Sequence, residues 1–126
     1  MRRTMLILLG VAFIAGVPVY AHHSFARDYF EDQTVSIEGA FVQLQLINPH
    51  SIMTIAVRDE RGQTQNFTAE WRGVTRLNQE KVTASTFQTG DYLILTGSPG
   101  RKPEERRLHL KGIHRPADGL RLGQSR

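Results

Sequence analysis

The segment TVSIEGAFVQLQLINPH, residues 34–50, decides how the rest of the chain reads. Val35, Ile37 and Phe41 stand at odd positions, whereas Val42, Leu44 and Leu46 stand at even ones. A strand alternates its faces with period two, so both sets cannot face one core without a slip of one residue. A glycine kink or bulge within 39–42 supplies that slip. One long, bent strand then feeds its apolar face into the core on both sides of the bend and ends at Asn48-Pro49-His50.

Downstream, residues 51–58 alternate again, with Met53, Ile55 and Val57 on one face. DERG (59–62) is a hairpin connection in which Gly62 takes the left-handed position. Residues 63–71 return as a third strand that groups Phe67, Ala69 and Trp71. The spacing of Val74 and Leu77 predicts a short helix over 73–81. A turn at 89–91 leads into a buried strand, YLILT (92–96), which GSPG (97–100) is expected to break. In the last strand, 107–115, Leu108 and Leu110 share a face. A bulge at Gly112 adds Ile113 to it and leaves His109, Lys111 and His114 outside, a solvated face rather than a metal site. Three strands, a helix and two strands is the element order of an OB-fold; another small five-stranded barrel or a sandwich with one helix would share it. The predicted fold is mainly β: a small OB-fold-like five-stranded barrel with one short helix between strands 3 and 4.

Upstream, Arg2 and Arg3 precede an apolar run, 5–17, that ends in Val19-Tyr20-Ala21. A basic start, a short apolar stretch and small residues at −3 and −1 read as a secretory signal cleaved after Ala21. The run is short for a membrane-spanning helix, the reading that an uncleaved anchor would require. The expected organisation is a signal peptide at 1–21, an N-terminal arm at 22–33, the barrel at 34–120 and a disordered tail at 121–126. The expected location is periplasmic or secreted, with no stable membrane anchor after cleavage, and the export route is open.

The 126-residue chain carries a formal charge of +4, and loss of the signal leaves 14 Lys and Arg against 12 Asp and Glu. So weak an excess gives no reason to expect a nucleic-acid partner. There is no cysteine, which removes disulfides, thiolate metal ligands and cysteine nucleophiles. GxSxG, HExxH and P-loop patterns are absent as well, and the chain reads as no enzyme.

Cleavage after Ala21 would expose His22-His23 with a free amine. The reference pKa values of the amine, about 7.7–8.0, and of histidine, about 6.5, leave neutral nitrogen donors near pH 7. Such donors suit copper, with zinc or nickel as alternatives. An N-terminal histidine that chelates through amine and ring, joined by another histidine, is a histidine brace; the competing reading is a mobile tail. His50, held by Pro49 where the first connecting loop of an OB-fold meets ligands, is the third candidate, or else only a strand cap. Glu70 either reaches a polar site beside His50 or stays solvated while Trp71 fills the core. Asn48 and Trp71 are read as ligand-contacting residues of the barrel rim.

The start AHHSF, the NPH after the first strand, Glu70 at the end of the third and the GD before the fourth resemble a family of small exported bacterial proteins described as a domain of unknown function. The resemblance spans roughly residues 21–120. Its pattern falls on His22, His23, Ser24, Phe25, Asn48, Pro49, His50, Glu70, Gly90 and Asp91. It implies an exported β-barrel and brings no established activity. Ser51-Ile52-Met53 follow NPH where the family often has an aromatic residue, and Trp71-Arg72 replace smaller or less charged ones.

The functional expectation is an exported binding module with a transition-metal site of His22, His23, His50 and Glu70. The alternative is a metal-independent module that binds a protein, peptide or glycan on the barrel face.

Overall fold

In a computed structural model that describes residues 25–123, the first strand, β1 (Val35–Gln45), carries the slip as a bulge. Phe41 pairs with Ile55 and Gln43 with Thr54 of β2 (Ile52–Arg58), so Val42 is the extra residue. Val42 is left 37% exposed, and Leu44 and Leu46 pack inward on the new parity. Gly39 makes the bend possible, because a Cβ there would collide with the Ala56 carbonyl oxygen.

β2 turns into the antiparallel β3 (Thr64–Glu70) through Gly62, at φ +76°. Asp59 secures this turn by accepting from the backbone N–H groups of Arg61 and Gln63 at 2.9 and 2.8 Å. The short helix α1 (Val74–Gln79) follows, with Leu77 fully buried. β4 (Tyr92–Pro99) returns against β1, and β5 (Arg107–Arg115) pairs antiparallel with β4 and parallel with β3. Following those pairings, the strands close in the order β1-β2-β3-β5-β4-β1. This is the OB-like barrel that the element order predicts, with its helix between β3 and β4.

Phe41, Met53, Ile55, Leu93, Leu95, Leu108, Leu110 and Ile113 fill the barrel, and Trp71, Leu77, Val82 and Phe87 complete the core. Burial of each large side chain is worth about 1.5–3 kcal/mol, and with no cysteine in the sequence this core stabilises the barrel without a disulfide. In β5, Leu110 pairs with Gly97 and Gly112 with Thr96, so Lys111 is the extra residue of the bulge and Ile113 rejoins the core face.

Two features differ from expectation and a third adds to it. β4 does not break at Gly97 but runs to Pro99. A Cβ at Gly97 would strike the His109 carbonyl oxygen, and without one the two backbones close up and pairing continues. Residues 121–123, expected in a disordered tail, are strand: β6 (Leu120–Gly123) pairs with the second half of β5. The third is the manner in which the expected arm meets the barrel. Residues 25–28 form a helical turn, and Tyr29 is 1% exposed and bridges to Gly100. The Phe30 and Arg101 N–H groups donate to Pro99 and Asp28 carbonyls, both at 2.9 Å, so the segment is a strap across one end of the barrel. The expected signal peptide, His22, His23, Ser24 and residues 124–126 lie outside the described residues. No helix among the described residues is long and apolar enough to cross a membrane.

Candidate functional site

The loop between β1 and β2 is seated on the start of α1, whose first N–H groups have no partners within the helix. The Val74 N–H donates to the Ile47 carbonyl at 2.9 Å, and Asn48 reaches Thr75 with both ends of its amide. Gly73 permits this approach: a Cβ there would collide with Asn48 Oδ1 and the Pro49 carbonyl. Ser51, fully buried, ties the base of the loop by donating to the Ile47 carbonyl, and its backbone bonds to Trp71 and Arg72. Between these two anchors the chain presents His50 to the end of β3.

Glu70 meets it there. His50 Nδ1 lies 3.1 Å from Glu70 Oε1. An ionised carboxylate only accepts, so Nδ1 is the donor of this bond, and Nε2 is the ring nitrogen it leaves over. The other oxygen, Oε2, accepts from the Tyr29 hydroxyl at 2.6 Å and from Arg107 Nη2 at 3.4 Å. Arg107 Nε donates to the Tyr29 oxygen at 3.0 Å, and its Nη1 to Glu105 at 3.1 Å. Burial, reinforced by the hydrogen bond to Glu70, pushes the Tyr29 phenol well up and keeps it a donor. The hydrogen bond to Tyr29 is the largest influence raising the Arg107 guanidinium, which stays charged.

A second imidazole stands beside the first. Glu70 and His109 are register partners across the parallel β3–β5 pair and so share a face. His109 Nδ1 lies 2.7 Å from Glu31 Oε1, again leaving Nε2 free, and Lys111 Nζ is 3.5 Å from Glu31 Oε2. Burial works against the Glu31 charge, but the hydrogen bond from His109 and the charge and hydrogen bond of Lys111 hold its carboxyl below the usual range. Phe25 ties the pairs together: its ring stacks on His109 at 3.8 Å between centroids and meets His50 at 4.6 Å. A groove of about 330 Å³ opens alongside, lined by Tyr29, Ile52, Thr68, Glu70, Glu105 and Arg107.

Of the residues expected at the site, His50 and Glu70 come together, whereas His22 and His23 lie outside the described residues. Asn48 serves the loop, bound to Thr75. Trp71 does not open onto the rim. The β3 alternation carries Phe67, Ala69 and Trp71 inward, leaving Trp71 2% exposed while Glu70 faces out. Sequence reasoning missed Tyr29, Glu31, Arg107 and His109 as partners. The available signals were the Phe25/Tyr29 spacing of one helical turn and the outward parity of Arg107 and His109. Gly90 and Asp91 belong elsewhere: Asp91 accepts from Arg115 at 2.9 Å, at the far end of β5.

Among the described residues, no three His, Asp or Glu side chains are grouped so that they could hold a metal ion. The arrangement does something narrower: it holds two imidazoles, each with Nδ1 against a carboxylate, as metal-binding histidines usually are.

No curated protein matches the sequence. A family of unknown function (DUF6152) matches residues 11–109, which takes in the strap, the NPH loop, Glu70 and β5 as far as His109. The chain belongs to that family, a domain of unknown function whose form here is a closed five-stranded β-barrel.

Proposed function

We propose that this protein is an exported, periplasmic metal-binding module whose site takes a divalent transition metal, copper first and zinc or nickel after it. The ligands are the amine and imidazole of His22, with His23 available, and His50 Nε2, with Glu70 orienting His50. The observation that carries the reading is the His50–Glu70 pair, which engages Nδ1 and leaves Nε2 over beside Phe25. His22 precedes Phe25 by three positions, and three residues of chain span roughly 10 Å at most. That length bounds how far the N-terminal donors lie from Phe25, and the proposal needs them to close on His50 within it. Neutral nitrogen donors without thiolate suit Cu(II), which heads the affinity order among these metals.

The test is Cu(II) titration, by competition with a chelator of known affinity, of the tag-free chain beginning at His22. We expect His22→Ala and His50→Ala each to weaken binding at least tenfold, and one extra residue before His22 to do the same by consuming the free amine. Unchanged affinity in all three variants would sink the site. The groove across the ends of β2 and β3 lies on the ligand-binding face of OB-folds and supports the second reading, a partner bound on the barrel face. That binding would be indifferent to the extra residue.

A further inference from the structure

We infer that the first half of β3 is a docking edge for an extended peptide segment of a partner, one that carries an apolar side chain and a carboxylate. The inference is independent of metal binding and begins with the backbone. Along a strand, successive residues point their N–H and C=O groups to opposite sides. Gln63, just before β3, turns its carbonyl to the Asp59 N–H at 2.8 Å, and Thr68 turns its N–H the other way, to the Arg106 carbonyl at 3.1 Å. Thr64 and Asn66 share the parity of Thr68, so their backbone groups also face away from β2. β5 pairs with β3 only over Thr68–Glu70, and among the described residues no backbone group reaches Thr64 or Asn66 from that side.

The fold keeps this edge open. An upstream continuation of β5 would cover it, but the chain leaves the seam at Arg106, a non-glycine residue at φ +45°, and comes to it through a 3₁₀ turn, Pro103–Glu105. Such a backbone costs free energy unless its surroundings hold it. Folds commonly shield a free edge with charge or proline, and residues 64–67, TQNF, contain neither. Beside the edge, a hollow of about 250 Å³ is lined by Phe67, Pro99 and Pro103 together with Lys102 and Arg106, and no carboxylate is among its lining residues. Lys102 has Glu105 at 3.4 Å, whereas Arg106 forms no salt bridge among the described residues. Asp59 feels the Arg106 charge but already accepts from Arg61, Gln63 and Gln65. A strand added to β3 supplies the missing backbone partners and turns alternate side chains toward the hollow. An apolar side chain suits Phe67 and the prolines, and a carboxylate suits Arg106.

The experiment selects a random-peptide display library on the intact chain beginning at His22, then binds the enriched peptides, synthesised, to ¹⁵N-labelled protein. We expect enriched sequences to combine apolar residues with Asp or Glu, and the bound peptide to slow hydrogen exchange at the Thr64 and Asn66 amides. Asn66→Pro removes one outward N–H without touching the β2 ladder, and should weaken binding about tenfold. Arg106→Gln should weaken the acidic peptides about as much and leave their Gln-for-Glu counterparts unaffected. A library that enriches nothing, or enriches basic peptides, overturns the inference. So does a peptide that binds while Thr64 and Asn66 exchange as freely as before. Protection of the two amides that grows with protein concentration in the absence of peptide makes the occupant a second copy of this chain, and overturns it as well.

Discussion

The two ends of β5 each carry an arginine, and they use it differently. Arg115 donates to Asp118 through Nε and Nη2 at 3.0 and 2.8 Å, and its Nη1 reaches Asp91 at 2.9 Å and the Thr86 carbonyl at 2.8 Å. Every named partner there is a permanent acceptor, and the result is a clamp that holds loops to the barrel. Arg107 likewise holds two carboxylates and a tyrosine oxygen. One of its carboxylates, Glu70, also orients His50, whose second nitrogen is unused. Charge neutralisation is common to both ends. Only at the Arg107 end does the network share a carboxylate with a histidine, and there the strap takes part through Phe25, Tyr29 and Glu31.

The largest test of that contrast is removal of the strap's anchor. Tyr29→Ala empties a buried aromatic site and should lower unfolding free energy by about 3–5 kcal/mol, measured by urea denaturation. Tyr29→Phe, which loses only the hydroxyl, should cost about 1–2 kcal/mol. A cost under about 1 kcal/mol for the alanine variant would mean that the strap rests on the barrel without stabilising it.

A smaller effect separates the arginines directly. Arg107→Met removes a positive charge beside Glu70, which keeps Tyr29 and His50 as partners. Between charges a few ångströms apart near a protein surface, even a partly screened change is worth about 1.4 kcal/mol. Copper binding should therefore tighten about tenfold in Arg107→Met and stay within about twofold in Arg115→Met. Equal responses would erase the distinction between the two ends.

The smallest effect belongs to the clamp. Hydrogen bonds from Arg115 hold the Asp118 carboxyl down to about 2, below its ordinary value. A depressed carboxyl stabilises the fold above its unfolded pKa and loses that contribution as pH falls through the folded one. Asp118→Asn should therefore lower the urea midpoint slightly at pH 6, and the difference should shrink as pH falls through about 2. A difference of the same size at pH 6 and at pH 2 would assign Asp118 a role other than its charge.

Much of the barrel was legible because its signals are local. The parity change between Phe41 and Leu44 announced the β1 bulge, and Gly112 announced the one in β5. Gly97 misled: glycine ends strands when it supplies a turn, but here it admits a neighbouring backbone, which sequence alone does not distinguish. The NPH loop was legible for a similar reason, as proline and asparagine carry their constraints with them. The Glu70–His109 adjacency was not. It depends on a parallel pairing across the barrel seam, and no spacing within β3 or β5 encodes that register. Tyr29 was hidden in a polar, charged segment, FARDYFED, whose composition reads as an arm.

The closure of β3 against β5 also sets an order in time. His50 and Glu70 stand 20 positions apart, and Glu31 and His109 stand 78 apart. A pairing as remote as the second is expected late, after shorter loops have closed, because chain entropy opposes it first. The hairpin β2–β3 can form early and bring His50 to Glu70, but His109 arrives only when the seam shuts and the strap is laid over it. The shared surroundings of His50 and His109 are thus a mark of completed folding: a half-folded chain has scattered histidines, and only the finished barrel sets both against Phe25.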